Sequence, residues 1–113
     1  MKRIAVCLLI ALLACQFVSA AGGTEQQSGA KEIVIGVFEP LTGENGGGGY
    51  QEVLGMRYAN QVYPTVKING QDYKVRLVEA DNKSDKTEAV TAAQSLISAG
   101  ASVVLGSYGS GVS

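Results

Sequence analysis

The sequence predicts an α/β fold, a doubly wound parallel sheet, and three observations predict it. Strand-like runs recur at Ile33–Phe38, Tyr73–Val78 and Ser102–Leu105. Between them lie stretches whose apolar residues step by three and four, the period of one helix face. The resulting order of strand, helix, strand, helix, strand is the plan of a doubly wound domain.

Ile33-Val34-Ile35-Gly36-Val37-Phe38 is continuously apolar, as a central parallel strand buried on both faces requires, and Pro40 ends it. From about Tyr50 to Tyr63, Leu54, Gly55, Tyr58, Ala59 and Val62 recur at helical steps and mark one face. Pro64 closes that helix, because the residue before a proline is pushed out of the helical region. Gly55 costs ~1 kcal/mol against alanine, so it either lets the helix lie close on the sheet or is a tolerated flaw. Val66 to Ile68, Asn69-Gly70 and Tyr73 to Val78 then form a hairpin, with asparagine and glycine supplying positive φ. Tyr73, Val75 and Leu77 alternate with Lys74 and Arg76, so the first part of this strand exposes one face. Asp85 and Glu88 have the spacing of a capping box. Val90, Ala93, Leu96 and Ile97 follow as an apolar stripe, and Gly100 sits where a left-handed residue stops a helix. Ser102 to Leu105 is expected to be a third buried strand, with the first turn of a helix after it.

The chain opens with Lys2 and Arg3, an apolar run from Ile4 to Ala14, and small residues ending in Val18-Ser19-Ala20. That layout predicts a secretory signal over residues 1–20, and the run is shorter than the roughly 20 residues a spanning helix needs. A second reading stays open: Leu12-Leu13-Ala14-Cys15 resembles the lipobox of bacterial lipoproteins, which would make Cys15 a lipidated first residue. Residues 21–32 are small and polar without periodicity and read as a flexible linker. Residues 33–113 are then expected to be the amino-terminal part of a longer ligand-binding lobe, because three short strand and helix units do not cover both faces of a parallel sheet.

Both cysteines, Cys7 and Cys15, lie in the signal, and the chain has no histidine. A chain starting at Ala21 therefore has no disulfide, no thiol nucleophile and none of the usual zinc ligands. Loss of the two cations Lys2 and Arg3 takes the formal charge from −1 to −3. This acidic balance removes the electrostatic footing for nucleic acid.

Ligands in such sheets bind beyond the carboxyl ends of the strands. Three loops qualify: Glu39 to Gly49, Glu79 to Asp85, and Gly106 to Ser113. The first holds four consecutive glycines, Gly46 to Gly49, yet Tyr50, Gln51 and Glu52 stand where a phosphate loop needs lysine and a hydroxyl. Glu44 would repel a phosphate, and Glu39 to Thr42 separate strand from glycines, against a dinucleotide fingerprint. The run reads as a mobile lip or a simple spacer. Glu44 and Asn45 either face a cleft or are solvated loop residues. Asp81 and Asp85 are better explained by loop bracing and capping than by catalysis.

Ile35-Gly36-Val37 with Pro40-Leu41-Thr42-Gly43, the Asn69-Gly70 hairpin, Ala80-Asp81 to Asp85, and Gly100-Ala101 leading to Val104-Leu105-Gly106-Ser107 resemble, in this order, the type I periplasmic solute-binding family. The resemblance implies the start of the first lobe of a two-lobed, hinged receptor. It implies a substrate-binding component of an ABC transporter with a membrane permease as partner, an amino acid of the branched-chain type as solute, no cofactor and no catalysis. It also implies that Ser110, in the loop Gly106-Ser107-Tyr108-Gly109-Ser110-Gly111, offers its hydroxyl to the solute's α-carboxylate beside the amides of Gly109 and Gly111. Free N–H groups at a helix start attract an anion in any case; Ser110 could equally be the N-cap of its own helix. Tyr108 either shapes the pocket wall or packs beneath the loop. The family's first loop brings an aromatic residue to the ligand; here that stretch is glycine, with Tyr50 about two places on and Asn45 before it. Two rivals remain open: a ligand-sensing ectodomain of the same fold, and a secreted α/β enzyme whose catalytic base lies beyond these residues.

Overall fold

The computed structural model describes residues 31–113, so the expected signal, Cys15 and most of the expected linker lie outside the described residues. The elements are β1 (Lys31–Glu39), α1 (Gly46–Val62), β2 (Thr65–Ile68), β3 (Gln71–Asp81), α2 (Lys86–Ser98) and β4 (Val103–Leu105). They form one four-stranded sheet in the order β2-β3-β1-β4. β1 pairs in parallel with β3 on one side and β4 on the other, while β2 pairs antiparallel with β3. The α/β class with a mostly parallel sheet is as the sequence predicts. Lys31 and Glu32, read as linker, are the first residues of β1 and pair with Tyr73 and Lys74.

The hairpin forms at Asn69 (φ 49°) and Gly70 (φ 78°), the two positive φ values that a tight turn of this type demands. Asp85 caps α2, accepting from the amides of Thr87 (2.8 Å) and Glu88 (3.0 Å). The reciprocal half of the expected capping box is absent: Glu88 pairs with Lys83 at 3.2 Å, and the Asp85 amide donates to the Asn82 carbonyl. Gly100 (φ 80°) ends α2, with its amide on the Ile97 carbonyl and the Ala101 amide on that of Leu96. Both bonds of a Schellman stop are therefore made.

The helices cover opposite faces. Leu96 of α2 packs over Gly36 beside Val104, whereas Met56 and Ala59 of α1 border Ile33, Ile35 and Leu77 on the other side. The core centres on Val37, Val53, Ala89, Ala92 and Leu96. Burying a side chain such as Leu96 contributes about 1.5–3 kcal/mol. Two expected stripes are corrected here. In α1 the buried positions are Gly46, Gly49 and Val53, while Leu54, Tyr58 and Val62 face outward; in α2 they are Ala89, Ala92 and Leu96, while Val90 and Ile97 face outward. The reason is shared. Gly46 and Gly49 in one helix and Ala89 and Ala92 in the other bring the helices close to the sheet, and apolar periodicity weighs such small residues less than bulky ones. β4, expected to be buried, lies at an edge of the sheet with all three residues exposed.

The glycine run is neither lip nor spacer. All four glycines are the first turn of α1, entered from Asn45, whose carbonyl accepts from the amides of Gly48 and Gly49. A Cβ at Gly49 would sit 2.2 Å from the Pro40 carbonyl oxygen, so this turn packs backbone against backbone. Gly55, by contrast, is exposed, and a Cβ there would meet nothing within 4 Å. The close approach expected of Gly55 is made by Gly49. Arg57 ties α1 to β3 through a two-pronged pair with Glu79 (2.7 and 2.6 Å), which holds the Glu79 carboxyl below its ordinary range.

These packing differences predict opposite outcomes for two similar substitutions. In denaturant unfolding of the full-length protein, Gly49→Ala is expected to cost about 1–3 kcal/mol through overpacking. Gly55→Ala is expected to be neutral or to stabilise by up to about 1 kcal/mol.

Candidate functional site

The loops leaving β1 (residues 40–45), β3 (82–85) and β4 (106–113) meet at the carboxyl edge of the parallel strands. Polar side chains at the strand ends hold them together. Asp81, the last residue of β3, accepts from the amide of Leu41 (2.8 Å), the hydroxyl and amide of Thr42 (2.6 and 3.3 Å) and the amide of Lys83 (2.8 Å). Burial pushes the Asp81 carboxyl up, but the Thr42 hydroxyl and the three amides outweigh it and leave the group below its ordinary range. Asp81 thus braces two loops, and Asp85 caps a helix, as the sequence suggests.

Asn82 is fully buried and touches all three loops or their strands. Its side-chain amide donates to the Ser107 hydroxyl (2.8 Å), its side-chain oxygen accepts from the Ser84 amide (3.0 Å), and its main-chain amide donates to the Glu39 carbonyl (3.2 Å). Ser84 returns the link to the first loop, its hydroxyl accepting from the Asn45 amide at 2.9 Å. Lys83 and Ser84 both adopt left-handed φ, 54° and 58°. For non-glycine residues this costs roughly 1–2 kcal/mol each, and the bonds from their amides to Asp81 and Asn82 hold the turn in that shape.

Glu39, the last residue of β1, is 1% exposed. Its Oε2 accepts from the Tyr108 amide at 2.7 Å, which fixes the loop after β4. Burial raises the Glu39 carboxyl; the Tyr108 amide lowers it and the facing Glu52 carboxyl of α1 raises it again, leaving it above its ordinary range. The loop can pass this close because residue 106 is glycine. With φ 125°, it lies where a Cβ would be 2.0 Å from the Phe38 carbonyl oxygen and 2.7 Å from Glu39 Oε1.

Three of the residues expected in the site come together. The Tyr108 ring lies against Gly48, where a Cβ would fall 2.3 Å from ring atom Cε1. The Asn45 side-chain nitrogen abuts Gly109, at 2.9 Å from the place of a Cβ. Tyr108 is thus half-exposed and half-packed, with its ring against the glycine turn of α1. Tyr50 is exposed in the second turn of α1, and Ser110 and Gly111 are exposed on the turn after β4. The expected helix start there is a turn in the described residues, with the Val112 amide on the Gly109 carbonyl (3.4 Å) and the Ser113 hydroxyl on the carbonyls of Ser107 and Gly109 (both 3.2 Å). Gly111 also lines a groove of about 400 Å³ between this turn and the start of α2, bordered by Phe38 and Lys86. An apolar groove of about 460 Å³ lies between α1 and the sheet, with Ile33, Met56 and Val75 in its walls and none of the three loops among its lining.

Sequence reasoning missed Glu39, Asn82 and Ser84. A signal for Glu39 was present: it sits two residues after Val37, on the same face of an otherwise apolar strand, immediately before Pro40.

The family model described as periplasmic binding protein matches residues 32–113. Among solved structures, the leucine-binding protein LivK of Thermotoga maritima is similar at 29% identity and a TM-score of 0.62, over 70% of this chain and 22% of that one. An extracellular ligand-binding receptor of Rhodopseudomonas palustris is similar at 25% identity and a TM-score of 0.54, over 69% of this chain and 20% of that one. The chain therefore spans about a fifth of the length of each. No curated protein matches it.

Replacing Asp81 by alanine strips the acceptor from the donors of two loops, and unfolding titrations should register a loss of about 1–3 kcal/mol. The pH dependence follows from the lowered carboxyl. Its contribution is present above the unfolded value of about 3.9 and is lost as pH falls through the lower folded value. Acid titration of Asp81→Ala should lack that part of the wild-type decline.

Proposed function

The chain belongs to the periplasmic binding protein family, and from that membership we propose that it is the extracytoplasmic substrate-binding component of an ABC transporter, carrying an amino acid of the branched-chain type to a membrane permease. The observation that supports this most is the exposed Gly109-Ser110-Gly111 turn, set beside Asn45 and Tyr108 on loops braced from beneath. The similarity to a leucine-binding protein adds the solute class.

In this reading the Ser110 hydroxyl and the neighbouring amides donate to the solute's α-carboxylate, the arrangement that suits an anion. Tyr108 forms a wall, and Asn45 and Tyr50 face the solute from the α1 side. A second lobe closes over the bound molecule, and the closed form is the one that the permease meets. No bond is made or broken: Asp81 and Asp85, the carboxylates nearest in sequence to a catalytic pair, are committed to loop amides and to a helix cap. Export rests on the expected signal at residues 1–20, with lipidation of Cys15 as the other route to a membrane face. Similarity to an extracellular ligand-binding receptor favours a second reading, a sensor ectodomain using the same turn for the same class of solute.

Calorimetry of the full-length protein against a panel of amino acids tests the reading. Binding of leucine, isoleucine or valine is expected, and Ser110→Ala should weaken it about tenfold, the loss of one hydrogen bond to a charged group. A panel in which no amino acid binds, or a Ser110→Ala variant that binds with wild-type affinity, rejects it.

A further inference from the structure

The Glu39 carboxyl has work beyond the strand that carries it. One oxygen, Oε2, holds the Tyr108 amide at 2.7 Å. The other, Oε1, is buried and has no hydrogen-bond partner. The Glu52 carboxyl, one α1 turn beyond the glycine run, neighbours Glu39. Two carboxylates repel at such a place, and a bond between them needs a proton on one.

On the surrounding elements, Arg57 is bonded to Glu79, Arg76 to Glu32 and Lys83 to Glu88, while Lys74 lies toward the opposite end of β3. Asp81, in register beside Glu39, is itself acidic and is occupied by loop donors; Tyr108 contributes an amide and a phenol from the loop after β4.

We propose that Glu39 is a positioning residue for the solute-binding turn: its buried carboxyl, kept protonated beside Glu52, holds the Tyr108 amide and the Gly109–Gly111 turn ready for an anionic group. The anionic group rests on the solute reading above; the hold on Tyr108 does not. Ionising Glu39 would place a negative charge beneath a turn that is to receive another. Solute binding and proton retention are therefore linked, and by reciprocity each strengthens the other. Burial acts in the same direction, raising the carboxyl above its ordinary range.

The sign follows. Below the ordinary glutamate value of about 4.3 Glu39 is protonated with or without solute. As pH rises through the raised value of the solute-free protein, Glu39 ionises and affinity for an anionic group falls, levelling off once ionisation is complete. The variant Glu39→Gln keeps an acceptor for the Tyr108 amide and offers Glu52 an N–H, so it imitates protonated Glu39 at every pH.

Two measurements on the full-length protein test this, using L-leucine as the probe. In solute-free protein, the Tyr108 amide resonance is expected to titrate with a midpoint above about 4.3, and to stay still over the same range in Glu39→Gln. Leucine affinity is expected to fall at least about fivefold as pH rises through that midpoint in the wild type, and to stay flat in Glu39→Gln. A Tyr108 amide that does not titrate there, or that titrates equally in Glu39→Gln, overturns the proposal, as does leucine affinity independent of pH in the wild type. If Tyr108 titrates as stated and leucine binds at no pH, the hold of Glu39 on the turn is supported and the leucine-type solute is rejected.

Discussion

Buried polar ties at the ends of three parallel strands are the constraint on which the rest of this structure depends. A parallel sheet delivers its loops to one edge but does not shape them, and a buried polar atom left without a partner costs about 1–3 kcal/mol. Glu39, Asp81 and Asn82 stand where the strands stop, and each makes at least one hydrogen bond to a loop other than the one it begins. The loops therefore keep their shapes together. Removing one tie strands donors on its neighbours, so the edge is expected to behave as one unit and not as three mobile segments.

The helices contribute to the same end by coming close. α1 starts with four glycines because its first turn lies against the Pro40 carbonyl and beneath the Tyr108 ring, where side chains would collide. That contact places Asn45 at the mouth of α1 and brings it to Gly109. Strand order matters too. β1 lies between β3 and β4, its own connection leads to α1 on one face, and the connection before β4 carries α2 on the other. The crevice at such a reversal is where open α/β sheets take ligands.

Much of this architecture was legible in the sequence, and the reasons are local. Runs rich in β-branched residues signalled parallel strands, Asn69-Gly70 signalled its turn, and Asp85 and Gly100 signalled the two ends of α2, since each of these depends on residues within a few places of one another. What escaped depends on distant partners. The Gly46–Gly49 run looks like a loop until Tyr108, sixty residues later, is seen to fill the space that side chains would occupy. The bulky stripe of α1 pointed to the wrong face and that of α2 was right at Leu96 but not at Val90 and Ile97, because close packing on a sheet favours small residues. Of the residues expected in the site, Asn45, Tyr108 and Gly109 do meet, whereas the ties made by Glu39 and Asn82 were missed because a polar residue at a strand end ordinarily faces water.

Hydrogen exchange on the full-length protein tests the unity of this edge most directly. The amides of Leu41, Lys83, Ser84 and Tyr108, each bonded to a strand-end side chain of Glu39, Asp81 or Asn82, should be protected and should open together with one common free energy. Rapid exchange at Tyr108, or four unrelated opening energies, would contradict the mutual bracing of the three loops.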